Sequence, residues 1–70
     1  MKYLIIIEET KTGYSAYSPD LEGCVATGHT REEVENRMKK AIEFHLEGLR
    51  KEGYEIPLSR SYSQYMDISV

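Results

Sequence analysis

The stretch HTREEVENRMKKAIEFHLEGLRKEG, His29 to Gly53, commits about a third of this 70-residue chain to one helix. Thr30 and Glu33 have the spacing of a capping box, in which each side chain bonds the other residue's backbone N–H. Glu32 and Glu33 suit the positive end of the helix dipole, and Arg50 and Lys51 suit the negative end. Gly53 is placed to stop the helix in a left-handed conformation. At 100° per residue, Val34, Met38, Ala41, Ile42, His45 and Leu49 form one stripe with Leu46 at its margin. Lys39, Lys40, Glu43, Glu47 and Arg50 fall opposite. The pattern predicts an amphipathic helix of about 22 residues, roughly 33 Å long. The rest of the chain must cover that stripe.

The remainder reads as short strands. KYLIII is short and rich in β-branched residues, and predicts a strand over Lys2–Glu8. EETKTG supplies a polar turn in which Gly13 can take a positive φ. YSAYS, Tyr14–Ser18, returns as the second arm of a hairpin. PDLEG reads as a loop, with Pro19 setting φ and Gly23 releasing the chain into a third strand, CVATG. After a loop at Pro57, SYSQYMDIS sets Tyr62, Gln64, Met66 and Ile68 against Ser63, Tyr65, Asp67 and Ser69. That alternation predicts a fourth strand, more polar than the first and at an edge.

The expected architecture is a single α+β domain over 1–70, in the order β-β-β-α-β. A right-handed crossover makes a four-stranded mixed sheet of order 3-2-1-4, with the one long helix on one face. The first strand is apolar on both sides, with Ile5 and Ile7 facing one way and Leu4 and Ile6 the other. One helix covers one face. The second is either half-shielded by tyrosines or covered by another chain, and the second reading is the one taken here.

Composition narrows the function. A chain this short buries only about 60% of the surface its unfolded form exposes. Its single cysteine cannot form an internal disulfide, and no cluster has zinc-ligand spacing. Self-association or a partner is the expected source of further stability. A net charge of -3, with the basic residues scattered or matched by neighbouring glutamates, argues against a nucleic-acid surface. Glu8 and Glu9 interrupt the apolar start, so neither a signal peptide nor a membrane span is expected. A cytoplasmic protein with a reduced thiol follows.

No catalytic, metal or cofactor residue is assigned, and partner-binding residues stay open. A nucleophilic Cys24 needs a base in reach, but His29 is five positions on and faces the other way along a strand some 16 Å apart. Cys24 is expected as a small, partly buried strand residue, and His29 as a packing or solvated residue before the helix. His45 lies within the apolar stripe and is expected as a buried neutral imidazole, because the helix carboxylates point away from it. Asp20, beside Leu21 and Glu22, is expected to bond its own turn backbone. Gly23 and Gly28 fit no phosphate-binding pattern. Tyr14, Tyr17, Tyr62 and Tyr65 lack the basic neighbours of a base-stacking platform and are expected as a cross-strand cluster.

Four pieces in order carry a resemblance: Gly13-Tyr14, Pro19 to Cys24 (PDLEGC), Gly28 to Glu33 (GHTREE), and Ala41 to Leu46 (AIEFHL). Together they span roughly residues 3 to 53, and over that length the chain resembles the N-terminal domain of HicB-type antitoxins. The resemblance implies a partial RNase-H-like fold with no nuclease activity, since the four-carboxylate metal cluster of RNase H is not visible. It also implies binding to a HicA-like toxin, a small basic mRNA-cleaving protein whose catalytic histidine the antitoxin masks. Many members add a C-terminal DNA-binding domain. None is expected in this chain, and no direct DNA binding.

The expected function is that of a non-enzymatic antitoxin module, homodimeric or of higher order, that neutralises such a toxin. The alternative is an orphan oligomeric protein-binding or regulatory module with no toxin partner. A neighbouring toxin gene separates the two. A hydrolase using His45 or Asp20 is the third class, and an unchanged nuclease background after His45→Ala removes it.

Overall fold

Every residue from 1 to 70 is described by the computed structural model. Its elements run β1 (Ile6–Glu9), β2 (Tyr14–Ser18), β3 (Leu21–Gly28) and α1 (Arg31–Lys51). The sheet is three-stranded and antiparallel, in the order β1-β2-β3. The fourth strand expected over Tyr62–Ser69, and with it the order 3-2-1-4, does not form. Alternation states which faces a segment could present, whereas a strand exists only where an edge accepts its hydrogen bonds. Beyond Tyr54 no backbone group bonds another backbone group.

Pairing also moves the boundaries of the other strands. β1 begins at Ile6 rather than Lys2, because the Leu4 carbonyl accepts the Ser18 hydroxyl (2.8 Å) instead of a ladder N–H. The β2–β3 ladder skips between Tyr17↔Val25 and Ser18↔Leu21, so Glu22, Gly23 and Cys24 bulge out of register. Gly23 supplies the φ of 79° that the bulge requires. β3 therefore starts at Leu21, inside what reads as a loop.

The register sorts the side chains. Ile7, Ala16 and Ala26 form a cross-strand row under the helix, and Ile6, Tyr17 and Val25 form the matching row on the far side. Ala16, Leu21, Cys24, Val34 and Met38 make the buried core, with Tyr3, Ile5, Ile7, Tyr14, Ala41, Ile42 and Leu46 packed around it. The helix leans over β3 and β2 rather than β1. Only Val34 and Met38 of the helix are fully buried. Its stripe is as expected, but three short strands cover mainly its N-terminal half.

The helix ends are built as the sequence requires, with one difference. The Glu33 N–H donates to the Thr30 hydroxyl oxygen at 3.0 Å. The returning Glu33 carboxylate accepts the N–H of His29 at 2.9 Å, one residue before the expected Thr30. At the other end Gly53 takes a φ of 78°. The Tyr54 N–H bonds the Leu49 carbonyl and the Gly53 N–H bonds that of Arg50, the paired bonds of a Schellman motif. Three exposed i,i+4 ion pairs, Arg31–Glu35, Arg37–Glu33 and Lys51–Glu47, decorate the helix and add little stability.

One close approach holds β3 to the helix. A Cβ on Gly28 would stand 2.8 Å from the Val34 nitrogen and 3.2 Å from its Cα, so helix backbone would have to move. Overpacking of this kind costs about 1–3 kcal/mol, and each kcal/mol lowers Tm by about 4–8 °C in a domain of this size. Gly28→Ala is expected to lower Tm by at least about 4 °C on that scale, read by circular dichroism. An unchanged Tm contradicts the tight junction.

Candidate interaction surfaces

The residues that sequence reasoning singled out do not converge. Cys24 is buried at 4% exposure on the helix side of β3, as expected of a structural thiol. Desolvation pushes its pKa above the ordinary 9.0, which keeps it protonated and unreactive at neutral pH. Thiol labelling of the folded chain is expected to be slow and to follow the unfolding rate. Labelling at the rate of a free thiol contradicts the burial. His29 is exposed, and its backbone, not its ring, does the work of closing the cap.

His45 is half-buried rather than buried. Its ring lines a groove at the free edge of β3, and Glu52, two helical turns on, lines the same groove. No group of three or more His, Cys, Asp or Glu side chains comes together in a metal-holding arrangement. The tyrosines do not cluster as expected. Tyr14 packs toward the core, Tyr17 belongs to the opposite row, and Tyr62 and Tyr65 stand in solvent at 85% and 97% exposure.

Asp20 bonds the far end of the chain rather than the backbone of its own turn. One carboxylate oxygen accepts the backbone N–H groups of Arg60 and Ser61, both at 3.0 Å, and the other accepts the Ser61 hydroxyl at 2.9 Å. The Tyr3 hydroxyl donates to the carbonyl of Pro57, a few residues before Arg60. These bonds fasten the segment after the helix to the β2–β3 turn and to the chain's beginning. The Asp20 carboxyl lies below its ordinary 3.8, chiefly because the Ser61 N–H stabilises the charge. Partial desolvation works against this, while the Ser61 hydroxyl and the Arg60 amide and charge add to it. The partners lie 40 and 41 residues from Asp20, so no local sequence signal could show them.

Three apolar surfaces remain. The first is the open face of the sheet, where the Ile6–Tyr17–Val25 row lies and Val25 is 65% exposed. The second is the β3-edge groove, about 480 Å³, with Phe44, Leu49 and Tyr54 on its walls. Phe44 is 80% exposed. Its sequence signal was available: an aromatic between Lys40 and Arg37 around an amphipathic helix, off the apolar stripe. The third is a groove of about 350 Å³ beside β1, walled by Ile5, Ile7, Met38 and Ile42 and rimmed by Glu35 and Lys39. No helix is long and apolar enough to cross a membrane.

Fold and surfaces together define a small α+β domain that offers apolar contact surface instead of a cluster of reactive groups. The sequence profile of the HicB-like antitoxins of bacterial toxin–antitoxin systems matches residues 3–69. The chain belongs to that family. A 14.9 kDa protein from the rep-hol intergenic region of Haemophilus phage HP1 is 39% identical over 67 residues, 96% of this chain and 50% of the phage protein. A UPF0150 protein of Thermoplasma acidophilum is 38% identical over 58 residues, 81% of this chain and 84% of its own. Among solved structures, a chain of the HicA3 and HicB3 toxin–antitoxin complex superposes with a TM-score of 0.68 at 34% identity, covering 79% of this chain and 64% of that one. The chain thus spans about half the length of its phage relative.

Proposed function

We propose that this chain is an antitoxin that binds and neutralises a small basic HicA-like mRNA-cleaving toxin in the cytoplasm, as a homo-oligomer and without chemistry of its own. The observation that carries the reading is its structural likeness to a chain of the HicA3 and HicB3 complex, joined to the family membership. Charge and surface fit the same partner. An acidic chain of net charge -3 steers a basic protein toward it and speeds association. The exposed Phe44 and Tyr54 offer aromatic side chains, and tyrosine is among the residues on which binding energy concentrates. The apolar groove beside β1 favours self-association as well, because a domain this small gains core from each apolar face it covers.

Co-expression tests the neutralising role. With a HicA-like toxin, the chain is expected to restore growth and to co-purify with the toxin. Continued growth arrest, with no complex recovered, overturns the reading.

A further inference from the structure

The chain after Ser61 is a partly apolar segment that fills no groove of its own molecule. Tyr62, Tyr65, Met66 and Ile68 are all at least 71% exposed, yet the segment keeps the alternation of a strand. None of its residues lines the grooves on either side of the sheet. It projects: the Cα radius of gyration is 14.0 Å, against about 11 Å for a compact domain of this length. The longest dimension is 49 Å, against 27 and 17 Å across. Asp20 and Tyr3 hold its base at residues 57–61, so the projection starts from a fastened point.

The same molecule carries a vacancy of matching character. β1 pairs only with β2, which leaves its outer edge of N–H and C=O groups open. The helix leans toward β3, so the inner side of β1 is not fully covered. The result is the Ile5–Ile7–Met38–Ile42 groove, with almost no polar wall. A second hollow continues it past Tyr3, Ile42 and Leu46. A nine-residue strand extends about 30 Å.

We propose that residues 62–70 of one copy lie along the β1 edge and in the adjoining groove of a second copy, which returns its own segment reciprocally. Exchange of an identical element gives a closed two-fold pair, with each groove filled by one segment. Main-chain hydrogen bonds to the β1 edge supply affinity, and alternate side chains in the groove supply register. The occupant is a second copy rather than the basic toxin because the groove has no acidic bias. Its rim mixes Glu35 and Glu43 with Lys39 and Arg50, and the segment bears one charge, Asp67. The three-stranded sheet within each chain is unchanged.

This inference rests on the homo-oligomer part of the proposed function and is independent of toxin neutralisation. The test compares the full chain with M66D/I68D and Y17K/V25D by light scattering coupled to size exclusion, at micromolar concentration, with hydrogen exchange on each. All four positions are exposed in the single chain, so each variant keeps its fold, checked by circular dichroism. The expected result is a wild-type mass of twice the 8.1 kDa chain and slowed exchange in 62–70. M66D/I68D falls to the single-chain mass and loses that protection, while Y17K/V25D stays dimeric. A monomeric wild type overturns both the exchange and the homo-oligomer. A dimer that survives M66D/I68D overturns the exchange alone, and loss of the dimer in Y17K/V25D only would assign the contact to the open sheet face. A segment protected only when a HicA-like toxin is added assigns the groove to the toxin and likewise overturns the exchange.

Discussion

Met38→Ala is expected to bring the chain to the edge of unfolding at room temperature. Met38 is 1% exposed and packs with Val34, Leu21, Cys24 and Ala16 in the five-residue core. Truncating a buried methionine removes its transfer free energy and leaves a cavity, together costing about 2–5 kcal/mol. A single core in a chain this short rarely supplies more than about 3–5 kcal/mol in total. One side chain is therefore worth much of the net stability. Met38→Leu conserves volume and should cost less than about 1.5 kcal/mol. Urea titration followed by far-ultraviolet circular dichroism reads both. A cooperative transition of near-wild-type midpoint in the alanine variant would show that the core has a centre elsewhere. Any dimer raises the apparent stability with concentration, so the comparison belongs at one fixed concentration.

The second large effect concerns the clasp at Asp20. Asp20→Ala removes an acceptor for two backbone N–H groups and one hydroxyl at once. The expected result is loss of hydrogen-exchange protection at Arg60 and Ser61, and faster proteolysis of residues 55–61, while the helix amides keep theirs. Acid should do the same reversibly. The folded carboxyl lies below its ordinary value of 3.8, so the clasp is complete above that value and is lost as pH falls through the lowered one. Between pH 5 and 8 it should be constant by the same linkage. Protection of Arg60 and Ser61 that outlasts Asp20→Ala, or that fails near neutral pH, would place their restraint elsewhere.

These two sites differ in how far the sequence discloses them. Met38 could be placed in the core from spacing alone, because a helix brings positions 34, 38 and 42 to one side whatever lies opposite. Thr30, Glu33 and Gly53 were equally readable, since caps are made by residues a few positions apart. The hairpin of β1 and β2 followed from two runs of β-rich residues around a polar turn. What escaped was non-local. Asp20 looks like any turn aspartate until Arg60 and Ser61 arrive from the other end of the chain. The bulge at Gly23 hides the start of β3, because the out-of-register residues break the alternation that would announce it. The final segment displays strand periodicity without a strand, since period states which sides match and is silent on which edge receives them.

The surfaces were legible to the same degree. A greasy second side of the sheet could be foreseen from Leu4 and Ile6 flanking Ile5 and Ile7. Phe44 lies off the main stripe, among charged neighbours, so helical spacing alone does not distinguish it as a contact residue.

The helix is about 31 Å long at 1.5 Å per residue, and the sheet props up mainly its first half. Its amides should then exchange along a gradient: those near Val34 open only with the whole domain, while those toward Lys51 open by fraying. A molecule seated against Phe44 and Leu49 would suppress that fraying and flatten the slope without disturbing the early turns. The less covered end of the rod thus serves as a built-in gauge of occupancy, readable amide by amide with no label attached.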